Sequence, residues 1–133
     1  MQNLITNVLS VVGRVAIVLV FAGAALQKLQ NFGGVVGYME FAKVPEPRVA
    51  LVGAIVLLIA GSVSIVLGYR AKLGAAMLLV FLAAATYYFH PFWTFSGQEA
   101  QAQQIHFMKN LSMAGTMIFL IANGSGPASL KRD

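Results

Sequence analysis

The chain has 133 residues, enough for one domain of ordinary size. Of these, 59% are hydrophobic and only 10% charged, against about 25% charged in a soluble domain, so there are too few ionisable groups to cover a surface in water. The net charge of +5 comes from basic residues spread singly along an apolar chain with no cysteine; this argues against a nucleic-acid stripe, favours anionic lipid headgroups, and excludes disulfides, thiolate metal sites and thiol redox chemistry.

The first predicted element is a membrane span over residues 8–29. Val15 to Leu26 is uninterrupted but short, so a full crossing takes in Arg14 at one end and Lys28 at the other. The start of the chain lacks the basic extreme N-terminus and cleavage site of a signal peptide, so it is expected to be this span. Arg14 and Lys28 are 14 positions apart, close to four turns, and share a face at opposite membrane levels. Arg14 is expected to snorkel to headgroups. Lys28 reads either that way or as a pocket residue, since ionisable groups within a span are functional candidates by default.

Residues 30–47 form a longer link in which Val35, Met39 and Ala42 recur at helical spacing, predicting a short interfacial or re-entrant helix. Pro45 and Pro47 stop it and start the second span, residues 48–69. Its core, Val49 to Tyr69, holds no charge over 21 residues, about 31 Å of helix. Gly53 and Ala60, then Gly61 and Gly68, recur at seven-residue spacing and are expected to let neighbouring backbones approach. "GYRAKLG" then makes a tight hairpin into the third span, residues 72–90. That span ends in "YYFHPFWTF", where Pro91 stops the helix and Tyr87, Tyr88, Phe92, Trp93 and Phe95 suit the headgroup level. Belt formation does not account for His90. Residues 96–104 are polar and read as an aqueous loop before the fourth span, residues 105–123.

In that last span His106, Lys109, Asn110 and Met113 fall at i, i+3, i+4 and i+7, a polar stripe that should face protein, with Lys109 and Asn110 pointing into the bundle. The stripe serves equally as interhelical hydrogen-bonding glue. Two histidines without an embedded acid make too small a set for zinc, so no metal is expected. No serine nucleophile with histidine and acid, and no phosphate-binding glycine loop, stands out. Short-loop basic residues tie at four a side, Arg70, Lys72, Lys131 and Arg132 against Lys28, Lys43, Arg48 and Lys109. Burial of Lys28 and Lys109 within the bundle would tip the balance to cytoplasmic termini.

Several patches together, "GRVAIVLVFAGAALQKLQNF", "GYMEFAKVPEP", "LGYRAKLGAAMLLVF", "FHPFW" and "HFMKNLSMAGTMIFLIANGSG", resemble the DoxX family of small bacterial membrane proteins, in order over nearly the whole chain. The resemblance implies an all-α, four-helix membrane bundle in the bacterial inner membrane. It also implies a link to quinone or oxidative-stress handling, the family being named for a subunit of a thiosulfate:quinone oxidoreductase. Family members often carry a Glu in the second helix where this chain has Leu58 before "IAGS", so a proton relay through that acid is not carried over. Taken together, the residues and the resemblance predict a single transmembrane domain with a pocket near its non-cytoplasmic end. Lys28, His90, Trp93, His106, Lys109 and Asn110 are its candidate ligand-binding residues, under a roof of residues 33–44, and a quinone headgroup is the candidate ligand. Such a chain is expected to act as a binding protein rather than an enzyme on its own. A non-catalytic accessory subunit, bound to partner membrane subunits or to copies of itself, is the alternative. A permease is the weaker one, because four unbroken helices without an internal repeat make a poor alternating-access machine.

Overall fold

The computed structural model describes residues 2–133. Five α-helices follow in order: α1 Gln2–Gln30, α2 Phe32–Phe41, α3 Pro47–Leu67, α4 Ala71–Phe89 and α5 Gly97–Asn123, with one 3₁₀ turn at Phe92–Thr94 before α5. The helices α1, α3, α4 and α5 are each long and apolar enough to cross a membrane. The short α2 lies between the first two spans, as its spacing predicts.

Residues 97–104 are the first turns of α5 and not an aqueous loop. Ala100, Gln101, Ala102, Gln103 and Gln104 all favour helix, and Glu99 in the first turn complements the positive end of the helix dipole. Polarity sets the segment apart from the apolar run that follows; intrinsic propensity decides its conformation.

The helices α3 and α4 form the centre, with α1 packed on α3 and α5 on α4. A shared core draws on all four spans: Val18 and Phe21 of α1, Leu58 and Ile65 of α3, Leu78 and Leu82 of α4, and Met117 of α5. A second cluster closes one end, where Val36 and Met39 of α2 pack with Leu51 and Ile55 of α3 against Tyr88 and Phe89. The Tyr38 ring stacks on Phe89 with centroids 5.2 Å apart.

The glycine spacing in α3 divides into three cases. A Cβ on Gly61 would sit 2.9 Å from the carbonyl oxygen of Gly74, and one on Gly74 would lie 3.0 Å from that of Gly61, so α3 and α4 cross backbone to backbone here. Gly53 faces open space. Gly68, with φ of 69°, ends α3 in a Schellman arrangement, its N–H and that of Tyr69 donating to the carbonyls of Ile65 and Ser64.

At this hairpin end the C-terminal segment folds back over the bundle. Leu130 N–H donates to Leu67 O and Lys131 N–H to Gly68 O, both at 3.0 Å, and a parallel bridge pairs Tyr69 with Lys131. Arg14 does not snorkel. It is 3% exposed and donates to the carbonyls of Ser125, Pro127 and Ala128 at 2.7–2.8 Å and to Ser129 Oγ at 3.1 Å. Gly124, Gly126 and Ala128 all have positive φ, a backbone path that turns these acceptors toward α1.

The backbone crossing yields a direct expectation. Gly61→Ala should destabilise the folded protein by about 1–3 kcal/mol, the usual range for overpacking, whereas Gly53→Ala should leave it unchanged or slightly firmer. Reversible unfolding in mixed detergent micelles measures both; equal effects would contradict a tight crossing at Gly61.

Candidate ligand-binding cleft between α4 and α5

Thr86 and His90 stand one turn apart on α4, and His106 and Asn110 one turn apart on α5, so two polar rungs cross between the helices. In the lower rung Asn110 Nδ2 donates to Thr86 Oγ1 at 3.0 Å. In the upper rung the His90 and His106 rings stack with centroids 4.9 Å apart, and His90 Nδ1 lies 2.8 Å from Gln103 Oε1. Placed against the amide oxygen, Nδ1 is the donor of this pair, and Nε2 takes no part in it. Gln103 reaches His90 because residues 97–104 are helical; it lies one turn before His106 on the same face.

Beside the lower rung, a cleft of about 240 Å³ opens sideways between the two helices. Its walls are apolar, with Leu82, Leu111 and Ala114 among them, and Thr86 and Asn110 supply its polar point. Trp93, Tyr87 and Phe107 also line it. Trp93 is locked edge-to-face with Phe92 and Phe107, at 5.5 and 6.1 Å between centroids. The aromatics of "YYFHPFWTF" therefore do more than sit in a headgroup belt: Tyr87 and Trp93 wall a cleft.

The remaining expected pocket residues lie elsewhere. Lys28 is half-buried, with Nζ 5.4 Å from the centroid of Phe81 on α4, a cation–π contact. Lys109 is exposed and does not point into the bundle. It lies 100° around the helix from Asn110, and that rotation turns it onto the outer face with Gln101, Gln104 and Ser112. A hollow of about 480 Å³ there is bounded by α5 residues alone and has no second wall. Among the described residues no hydrogen bond joins Lys28 or Lys109 to either histidine, and no cluster of three or more His, Cys, Asp or Glu forms.

Residues 9–91 match the DoxX family. Two relatives from Escherichia coli (strain K12) are similar over most of their length. Inner membrane protein YphA is 31% identical over 94% of this chain and 89% of its own. Inner membrane protein YqjF is 28% identical over 91% of this chain and 88% of its own. No solved structure matches the chain at a significant level. The chain belongs to the DoxX family.

Proposed function

We propose that this DoxX-family membrane protein is an inner-membrane chain that takes a flat lipophilic molecule such as a quinone into the α4–α5 cleft. In doing so it assists a membrane redox process without being an enzyme on its own. The observation that carries this reading is the hydrogen-bonded pair Asn110 and Thr86 set in a mostly apolar cleft beside Tyr87, Trp93 and Phe107. Asn110 has a second amide N–H beyond the one given to Thr86, suited to a quinone carbonyl. One turn above, a neutral His90 with its proton on Nδ1 would offer Nε2 as an acceptor for the hydroxyl of the reduced, quinol form. The cleft opens toward the surrounding lipid, so a lipophilic molecule enters without crossing water.

An accessory-subunit role is the second reading, favoured by the outer face of α5. There Lys109 and Ser112 are exposed, and Gly115 would meet nothing within 4 Å of an added Cβ, an open strip on which another helix can pack.

Inner-membrane placement is supported by the names of the two relatives. The cytoplasmic placement of both termini is supported by a narrow margin of charge: Arg70, Lys72, Lys131 and Arg132 gather at the end closed by the tail, against Lys43, Arg48 and the exposed Lys109 at the other, with Lys28 half-buried. Because the chain has no cysteine, Lys72→Cys and Gln101→Cys test it directly. In intact cells an impermeant thiol reagent should label only the second; labelling of the first alone means the opposite orientation.

Trp93 is the chain's single tryptophan, so its fluorescence reports on the cleft. A short-chain quinone added to protein in nanodiscs should quench it saturably. Asn110→Leu should weaken the apparent affinity about fivefold, the worth of one hydrogen bond of about 1 kcal/mol. His90→Phe should weaken binding of the quinol more than of the quinone. Quenching that never saturates, or that is identical in Asn110→Leu, contradicts the quinone reading and favours the accessory subunit.

A further inference from the structure

A second feature opening to lipid lies at the other end of the molecule, on the outer side of the α3–α4 hairpin. The tight crossing at Gly61 and Gly74 leaves a groove of about 400 Å³ between the two helices. Val63 and Leu67 of α3 and Leu73 and Met77 of α4 wall it. It runs along α3 from Leu67 to Ala60, roughly 10 Å of helix. At its upper end stand Tyr69 and Arg70, at the level where two spans end and therefore where headgroups begin.

The C-terminal segment sets further cations beside this end. The Tyr69–Lys131 bridge and the two backbone bonds from Leu130 and Lys131 to the end of α3 bring Lys131 and Arg132 next to the hairpin that carries Arg70 and Lys72. Arg70, Lys131 and Arg132 are exposed. One acid is present: Asp133 Oδ2 accepts from the backbone N–H of Lys72 in the first turn of α4 at 3.0 Å. Backbone pairing thus builds the cationic rim from two segments about 60 residues apart.

We infer that the groove and its rim bind an anionic phospholipid of the bilayer, one acyl chain along the α3–α4 groove and the phosphate against Arg70, Lys131 and Arg132. The apolar wall ends where the cations begin, the same division that a phospholipid makes between tail and headgroup. The charge selects the anionic lipid, since each basic side chain near the headgroups favours it by about fivefold. The site is separate from the α4–α5 cleft and does not depend on what that cleft holds.

Native mass spectrometry of the full chain, released from detergent carrying equal amounts of phosphatidylglycerol and phosphatidylcholine, tests this. The parent should retain phosphatidylglycerol over phosphatidylcholine. Arg70→Gln combined with Lys131→Gln should lower that preference on the order of twentyfold, and Asp133→Asn should raise it. Val63→Trp, which fills the groove and leaves every charge in place, should reduce retention of both lipids. An unchanged preference in the double variant overturns the inference. So does full retention in Val63→Trp, or displacement of the lipid by inorganic phosphate alone, because either would mean surface charge without an acyl-chain site.

Discussion

A buried guanidinium fixes one end of this protein. Arg14 sits near the middle of α1, a helix long and apolar enough to cross a membrane, where its charge needs polar partners. Its partners are three backbone carbonyls and one hydroxyl of the C-terminal segment, none of them a carboxylate. The charge is thus met by dipoles, and the segment is held because its carbonyls are held. The same segment is zipped to the end of α3 and to the start of α4. One side chain of α1 therefore ties the first helix to the segment that covers the hairpin, and that segment sets Lys131 and Arg132 beside Arg70 and Lys72. At the opposite end no such clamp is needed, because α2 covers it with apolar contacts and the Tyr38–Phe89 stack.

The bundle was legible because its cause is local and repeated: long uncharged runs leave the bilayer as the only suitable solvent, and a tight charged hairpin forces antiparallel neighbours. The start of α5 is less so, because its polarity suggests a loop while alanine, glutamine and a first-turn glutamate favour helix. Of the six expected site residues, His90, Trp93, His106 and Asn110 come together between α4 and α5, and Lys28 and Lys109 do not. His106 and Asn110 share a face that meets α4, but Lys109, one residue before Asn110, is turned away by 100°, a distinction that a stripe of width i, i+3, i+4 blurs. Thr86 and Gln103 escaped notice singly. Their spacing to His90 and His106 is the signal that would have found them, since each stands a helical turn away from a histidine.

The role of Arg14 could not be read from the sequence. The segment that receives it, "GSGPAS", has no charge to suggest an electrostatic partner and lies more than 110 residues away. Its fitness comes from backbone shape, with Gly124, Gly126 and Ala128 at positive φ, and glycine and serine alone do not announce that. Joined to the α4–α5 ladder, this clamp leaves a molecule with a polar seam near one membrane face and a carbonyl-lined anchor near the other, and apolar packing between them. Both lateral openings, the α4–α5 cleft and the α3–α4 groove, flank α4, the helix that shares its packing between α3 and α5.

The central claim is that the Arg14 fork, with its planar set of donors, holds the C-terminal segment in place. Arg14→Lys keeps the charge but cannot reach four acceptors at once in the same geometry. Amide hydrogen exchange of Leu130 and Lys131 in nanodiscs measures the consequence, since both amides are bonded to the end of α3 only in the docked state. The account predicts slow exchange in the parent and exchange at least tenfold faster in Arg14→Lys, with the α3 and α4 core amides unchanged. Equal protection of the two amides in both proteins would contradict it.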